Sequence, residues 1–190
     1  MVRLIELFNR YVQWRILSYF LANPCTSVHV KELARRLNVS PGSVGSAVKL
    51  LHSEGVLVKE EKGLAHLYKL NTDHCVVLPL KKAYGLALIT EMIPERKFLE
   101  IDPDIISLAL FGSYADGSFD EKSDVDFLVV TPGRRHRLID VAEELENELG
   151  KEVSLSVFGL SQWRSLAERK DAFYSSIMRN HILFYGGELL

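Results

Sequence analysis

Cysteine is scarce in this chain of 190 residues: Cys25 and Cys75 are all there is, and neither belongs to a Cys-x-x-Cys pair. That excludes a disulfide-stapled scaffold, and both are expected as free thiols in a reducing cytoplasm. No His/Cys cluster has zinc spacing, so no structural metal is expected. Long apolar runs are missing too, since nothing approaches the ~20 residues a membrane helix needs. The N-terminus, Met1-Val2-Arg3-Leu4-Ile5-Glu6, lacks the apolar run and small-residue cleavage site of a secretory signal. What remains is 47% hydrophobic residues with ordinary charge content, enough to fill the core of one large or two small globular domains.

The net charge of −2 is small but unevenly spread. Residues 1–72 hold ten Lys/Arg against five Asp/Glu, whereas residues 73–190 hold thirteen against twenty. A basic part followed by an acidic part argues for two domains with different partners. The basic part is the one suited to a phosphate backbone.

Within it, residues 3–22 have helical periodicity, with Leu4, Leu7, Phe8, Tyr11, Ile16, Leu17 and Phe20 available for burial, and Asn23-Pro24 ends the pattern. His29 to Leu37 reads as a second helix. Ser40 is an N-cap with Pro41 at the first helical position of a third, which runs to about Ser53 and closes at Gly55. A hairpin follows, Val56 to Glu60 and Leu64 to Leu70, with a polar tip at Glu61-Lys62-Gly63. Helix, helix, tight turn, helix and two-stranded wing resemble a winged helix-turn-helix. That resemblance implies a third helix entering the major groove of DNA and a wing reaching a neighbouring phosphate or minor groove. Ser43, Ser46 and Lys49 are the candidate groove contacts. Arg35, Arg36, Lys59, Lys62 and Lys69 are candidate phosphate contacts. The third helix has no Arg or Asn for bidentate base contacts, and Glu60 and Glu61 on the wing oppose phosphate. Winged helices also serve as dimerisation or protein-docking modules, and a homodimer is expected.

The second half holds the pattern with most chemistry in it. Ile105 to Phe111 reads as a strand that stops at Gly112-Ser113; after ten intervening residues comes Asp124-Val125-Asp126, leading into the apolar Phe127 to Val130. An all-apolar run of this kind suits a strand covered on both faces. Alternation along the strand puts Asp124 and Asp126 on one side. Two such carboxylates opposite a Gly-Ser turn suit Mg²⁺ and a nucleoside triphosphate, because Mg²⁺ takes carboxylate and phosphate oxygens. Backbone N–H groups at such a turn can cradle phosphates without a Walker lysine.

These residues resemble the motif of minimal nucleotidyltransferases in the DNA polymerase beta superfamily. The resemblance implies transfer of a nucleoside monophosphate from an NTP to a hydroxyl acceptor. Asp124 and Asp126 would bind Mg²⁺, two ions when active, and Gly112 and Ser113 would contact the β and γ phosphates. The superfamily usually adds a third carboxylate from a later strand. Here that strand is Glu152 to Val157, and the position holds Ser154; Glu152, two residues earlier and on the same face, is the weak candidate replacement. Asp116 stands where many relatives carry a basic residue, and an acid there repels a triphosphate.

The remaining elements are a connecting helix over Leu78 to Met92, a helix from the Arg134/Arg135/Arg137 cluster to Leu149 capped by Gly150, and the Glu152–Phe158 strand. Ser161 is expected to N-cap a helix through Glu168, Asp171 another to roughly Asn180, and Ile182 to Tyr185 to add a short strand. The expected organisation is therefore a mainly α winged helix-turn-helix over 1–72, a connector over 73–97, and an α/β nucleotidyltransferase fold with a short mixed sheet over 98–190. The leading functional expectation is Mg²⁺-dependent nucleotidyl transfer by a DNA-binding protein. The alternative is a transcriptional regulator whose transferase domain has lost catalysis and senses a nucleotide. A third expectation is a protein acceptor, as for antitoxin-like relatives.

Overall fold

The computed structural model describes residues 4–62, 65–133, 137–187 and 189. It divides into two compact units, Met1–Ala87 and Leu88–Leu190, with the division falling inside one helix. None of the described helices is long and apolar enough to cross a membrane.

The first unit contains α1 (Leu4–Arg10), α2 (Val12–Ala22), β1 (Val28–His29), α3 (Val30–Leu37), α4 (Pro41–Ser53), β2 (Leu57–Lys62) and β3 (Ala65–Leu70), and then the start of α5 (Val77–Glu91). The strands pair antiparallel in the order β1-β3-β2, which is a wing backed by a short third strand. Cap chemistry explains the helix starts. His29 Nδ1 accepts from the Lys31 N–H at 3.1 Å, and Ser40 Oγ accepts from the Ser43 N–H at 3.1 Å with Pro41 next to it. Ile16, Phe20, Leu21, Leu33, Val44, Val48, Leu57 and Leu70 fill the core.

Two expectations fail here. Residues 3–22 do not form one helix, because Tyr11 is extended (φ −111°, ψ 148°) and splits α1 from α2. The break folds α1 back so that the buried Ser18 hydroxyl donates to the Phe8 carbonyl at 3.1 Å and Phe8 packs edge-on against Trp14 and Tyr84. Leu4, Leu7 and Tyr11, expected to be buried, are instead more than half exposed. Of the expected wing tip, Gly63 lies outside the described residues, as does Leu64; β2 itself runs on through Lys62.

The second unit contains α6 (Pro94–Ile101), β4 (Ser107–Phe111), α7 (Gly112–Asp116), β5 (Val125–Val130), α8 (Leu138–Leu149), β6 (Val153–Phe158), α9 (Leu160–Glu168), α10 (Ala172–Arg179) and β7 (Ile182–Gly186). Its sheet has the order β6-β5-β4-β7, with β5 parallel to β6 and antiparallel to β4, and β7 antiparallel to β4. This is the short mixed sheet expected of the α/β part. Residues 127–130 of β5 are at most 2% exposed because helices cover both faces. Phe98 of α6 packs on Phe127 from one side, while Trp163 of α9 and Ile177 of α10 cluster with Leu128 and Val130 on the other. Gly150 ends α8 in the left-handed region (φ 64°), as its position suggests.

Local departures have local causes. The α9 cap is Gly159 and not Ser161: the Gly159 N–H donates to Gln162 Oε1 at 3.1 Å, so the helix begins two residues earlier. Strand β6 begins at Val153, although the Glu152 carbonyl already accepts from the Val125 N–H at 2.9 Å. Helix α8 starts at Leu138, behind Arg137; Arg134 and Arg135 lie outside the described residues.

Candidate active site and nucleic-acid face

Asp126 lies on one rung of the sheet between Phe111 of β4 and Ser154 of β6. Residues paired across a sheet point to the same face, so Ser154 stands beside Asp126 on the side where Leu128 and Val130 meet α9 and α10. Gly112 closes against Asp126 from the β4 side. A Cβ placed there would lie 2.3 Å from Asp126 Oδ2 and 3.2 Å from its Cγ, and the backbone is left-handed (φ 69°). Glycine is therefore favoured by the left-handed backbone, and any side chain here would also have to push the Asp126 carboxylate aside. Ser113 follows in the first turn of α7.

Burial, and then the charge of Asp124, push the Asp126 carboxyl above its ordinary value. The Asp124 carboxylate is thus close enough to oppose ionisation of Asp126. A divalent cation would relieve both causes at once, and the donor set of two carboxylates is what hard, oxygen-seeking Mg²⁺ prefers. The residues fit such an ion. Glu152 lies outside β6 and is exposed. Asp116 ends α7, where its Oδ1 accepts from the Ser118 N–H at 2.8 Å.

The stretch between the two halves of the motif reads as a polar loop, but it is anchored. Phe119 is 1% exposed and stacks on Tyr114, with centroids 4.3 Å apart and planes 6° apart. The Ser113 carbonyl accepts from the N–H groups of Gly117 (2.9 Å) and Phe119 (3.3 Å). Lys151, just before β6, donates to the carbonyls of Asp120 and Glu121 at 3.4 and 3.1 Å. The apolar Phe119 amid polar residues was the available signal for this anchoring.

In the first unit, Ser43, Ser46 and Lys49 are exposed along α4. The Ser43 hydroxyl shares a 2.8 Å hydrogen bond with Ser40. Ser43 and Ser46 line an open cleft of about 580 Å³ whose other wall includes Arg10, Tyr11 and Gln13 from the break between α1 and α2. Arg35 is exposed; Arg36 is bound to Glu32 and donates to the Tyr19 hydroxyl at 2.8 Å. Lys59 bridges to Glu61 at 2.9 Å. The Lys62 backbone pairs with Ala65 in the wing, and its side chain lies outside the described set. Glu60 accepts from Ser27 at 2.6 Å, which ties that acid to the body of the domain.

Comparison with known proteins divides the chain in the same way. Residues 92–182 match the model of the nucleotidyltransferase domain, and residues 10–63 match that of the MarR family. The chain thus carries a segment that matches the MarR family followed by one that matches a nucleotidyltransferase domain. The chain resembles part of a toxin–antitoxin structure solved with AMP-PNP (21% identity, 51% of this chain and 74% of that one, TM-score 0.40). It resembles part of the MntA–HepT toxin–antitoxin structure as well (16%, 58% and 74%, 0.35). A third likeness is to a structure of the tri-AMPylated Shewanella oneidensis HEPN toxin with MNT antitoxin (15%, 55% and 74%, 0.35). At such TM-scores the assignment rests on the two matched segments alone. No curated protein matches.

Proposed function

We propose that the protein is a Mg²⁺-dependent nucleotidyltransferase whose winged helix binds DNA. One observation carries the reading: Asp126, its carboxyl raised by burial and by Asp124, faces Gly112, whose left-handed backbone strains any side chain placed there. The acceptor oxygen bonds to the α-phosphorus of an NTP as the bond to the β-phosphate oxygen breaks, and pyrophosphate leaves. Asp124 and Asp126 would hold Mg²⁺, which when bound would neutralise phosphate charge. Gly112 and Ser113 accommodate the β and γ phosphates at the turn beside Asp126. The acceptor's proton goes to Glu152 or to water, since Ser154 is no base at neutral pH. The site set under this reading is Asp124 and Asp126 with Glu152 as the weaker member, and Gly112 and Ser113 for the nucleotide.

Arg35, Arg36, Ser43, Ser46, Lys49, Lys59 and Lys62 form the DNA face of the winged helix. We divide the functional modules as 1–72, 73–97 and 98–190. The module acts as a homodimer, for which the exposed Leu4, Leu7, Tyr11 and Trp14 offer an apolar face. The acceptor class is a hydroxyl, a partner protein's included, and the reaction belongs in the cytoplasm with its NTP.

The test is transfer of label from each of the four α-labelled NTPs to a mixed pool of protein and nucleic-acid acceptors. Mg²⁺-dependent label that vanishes in Asp126→Asn supports the reading. A second reading is favoured by Ser154 occupying the rung beside Asp126: a regulator that binds a nucleotide without transferring it. In that case the wild-type protein binds Mg²⁺–NTP but transfers nothing, and Ser154→Asp, which adds a carboxylate on the same face, is expected to gain transfer activity.

A further inference from the structure

The loop that delivers Asp124 is held by the two residues that lead into β6. Lys151, the residue after the Gly150 cap of α8, directs its ammonium at the carbonyls of Asp120 (3.4 Å) and Glu121 (3.1 Å). Within the loop, Asp120 Oδ1 accepts from the Lys122 N–H at 2.8 Å and from Ser123 Oγ at 3.0 Å, while the Asp120 N–H donates to Ser123 Oγ at 2.8 Å. These bonds close a turn that ends on the residue before Asp124. One residue further on, the Val125 N–H donates to the Glu152 carbonyl at 2.9 Å. The segment around Asp124 is therefore gripped on both sides by consecutive residues, Lys151 and Glu152.

We propose that Lys151 is a positioning residue for Asp124, clamping the Asp120–Ser123 turn so that the Asp124 carboxylate is held ready beside Asp126. This rests on the reading of Asp124 and Asp126 as the metal-binding pair. A lysine ammonium has three donors and no acceptor, so two carbonyls on successive residues suit it. The interaction is charge-assisted, with the closer contact, to Glu121, at 3.1 Å. Positioning contacts behind metal ligands typically change metal affinity by roughly 10–100-fold when removed. Lys151 has no place among the carboxylates themselves; its effect passes through the loop backbone. The Asp120 carboxyl is held below its ordinary value, first by the hydrogen bonds from Lys122 and Ser123 and with a contribution from the Lys151 charge.

The experiment uses the full chain and reads two quantities in wild type, Lys151→Gln, Lys151→Arg and Ser123→Ala. One is hydrogen exchange at the amides of residues 119–123; the other is Mn²⁺ affinity by calorimetry. Lys151→Gln is expected to speed exchange of the Lys122 and Ser123 amides while leaving β5 unchanged, and to weaken Mn²⁺ binding by about tenfold. Lys151→Arg, which keeps charge and donors, restores both, a rescue that a merely space-filling role would not need. Wild-type exchange and Mn²⁺ affinity in Lys151→Gln overturn the proposal. Where Lys151→Gln is globally unstable, Ser123→Ala carries the same expectation, and unchanged exchange and affinity there count equally against it. A wild type that takes up no Mn²⁺ removes the metal reading and this proposal together. A wild type that binds, with a Lys151→Gln that binds equally, removes Lys151 alone.

Discussion

Three constraints meet on the carboxylate of Asp126: it is half-buried, it has Asp124 for a neighbour, and it presses on Gly112. Because the folded state raises its pKa, the fold favours the protonated form. The resulting penalty is absent below the ordinary carboxylate range, grows as pH rises, and is complete above the raised value. Asp126→Asn removes the penalty, so its melting temperature should exceed wild type at pH 7.5 and converge with it near pH 3.5, while any transfer activity is lost. Thermal melts across pH check this; equal gains at both pH values would contradict it. At Gly112, alanine meets both a left-handed backbone and the Asp126 oxygen. We expect Gly112→Ala to cost about 1–2 kcal/mol of stability from the backbone alone, measured by denaturant unfolding, and to displace Asp126 enough to abolish transfer.

Among the elements, the segment from α7 to β5 shows how a site is kept in place without regular structure. Its anchor is the Phe119 ring, stacked on Tyr114 and almost fully buried. Phe119→Ala should destabilise the second unit by about 3–5 kcal/mol, seen as a shift in its urea midpoint, and the conservative Phe119→Leu by less. The strand β5 was legible because an all-apolar run between an Asp-x-Asp and a Pro-Gly break has few other solutions. The same holds for α4, whose Ser40-Pro41 start and Gly55 end are local chemistry. The family resemblance singled out Ser154 as the position of the missing third carboxylate, and the parallel register sets Ser154 beside Asp126. Long-range contacts were not legible. No glycine or proline marks the break at Tyr11, which is set by contacts of Phe8 with Ser18 and Tyr84. Nor does any local pattern aim the Lys151 ammonium at carbonyls some thirty residues earlier. Helix α6 was missed although Pro94 at its first turn was a usable start signal.

For the molecule as a whole, the proposed account has a basic N-terminal part bound to DNA and an acidic part that performs transfer. Binding through phosphates must weaken with salt, with a slope of about −0.9 per phosphate contacted. Arg35→Ala should reduce that slope by about one unit. Arg36→Ala should reduce it less, because Glu32 and Tyr19 already engage that guanidinium. A shift assay at several salt concentrations reads both, and equal effects would mean that Arg36 leaves those partners on the DNA. The central claim concerns the other half and rests on Gly112, Asp124 and Asp126. Its most direct test is transfer of α-phosphate label by the 190-residue chain, with Mg²⁺ or EDTA, in wild type and Asp126→Asn. Label joined to an acceptor with Mg²⁺, and absent with EDTA and in the variant, is the predicted result; equal label in wild type and Asp126→Asn, or none with any NTP, would contradict it.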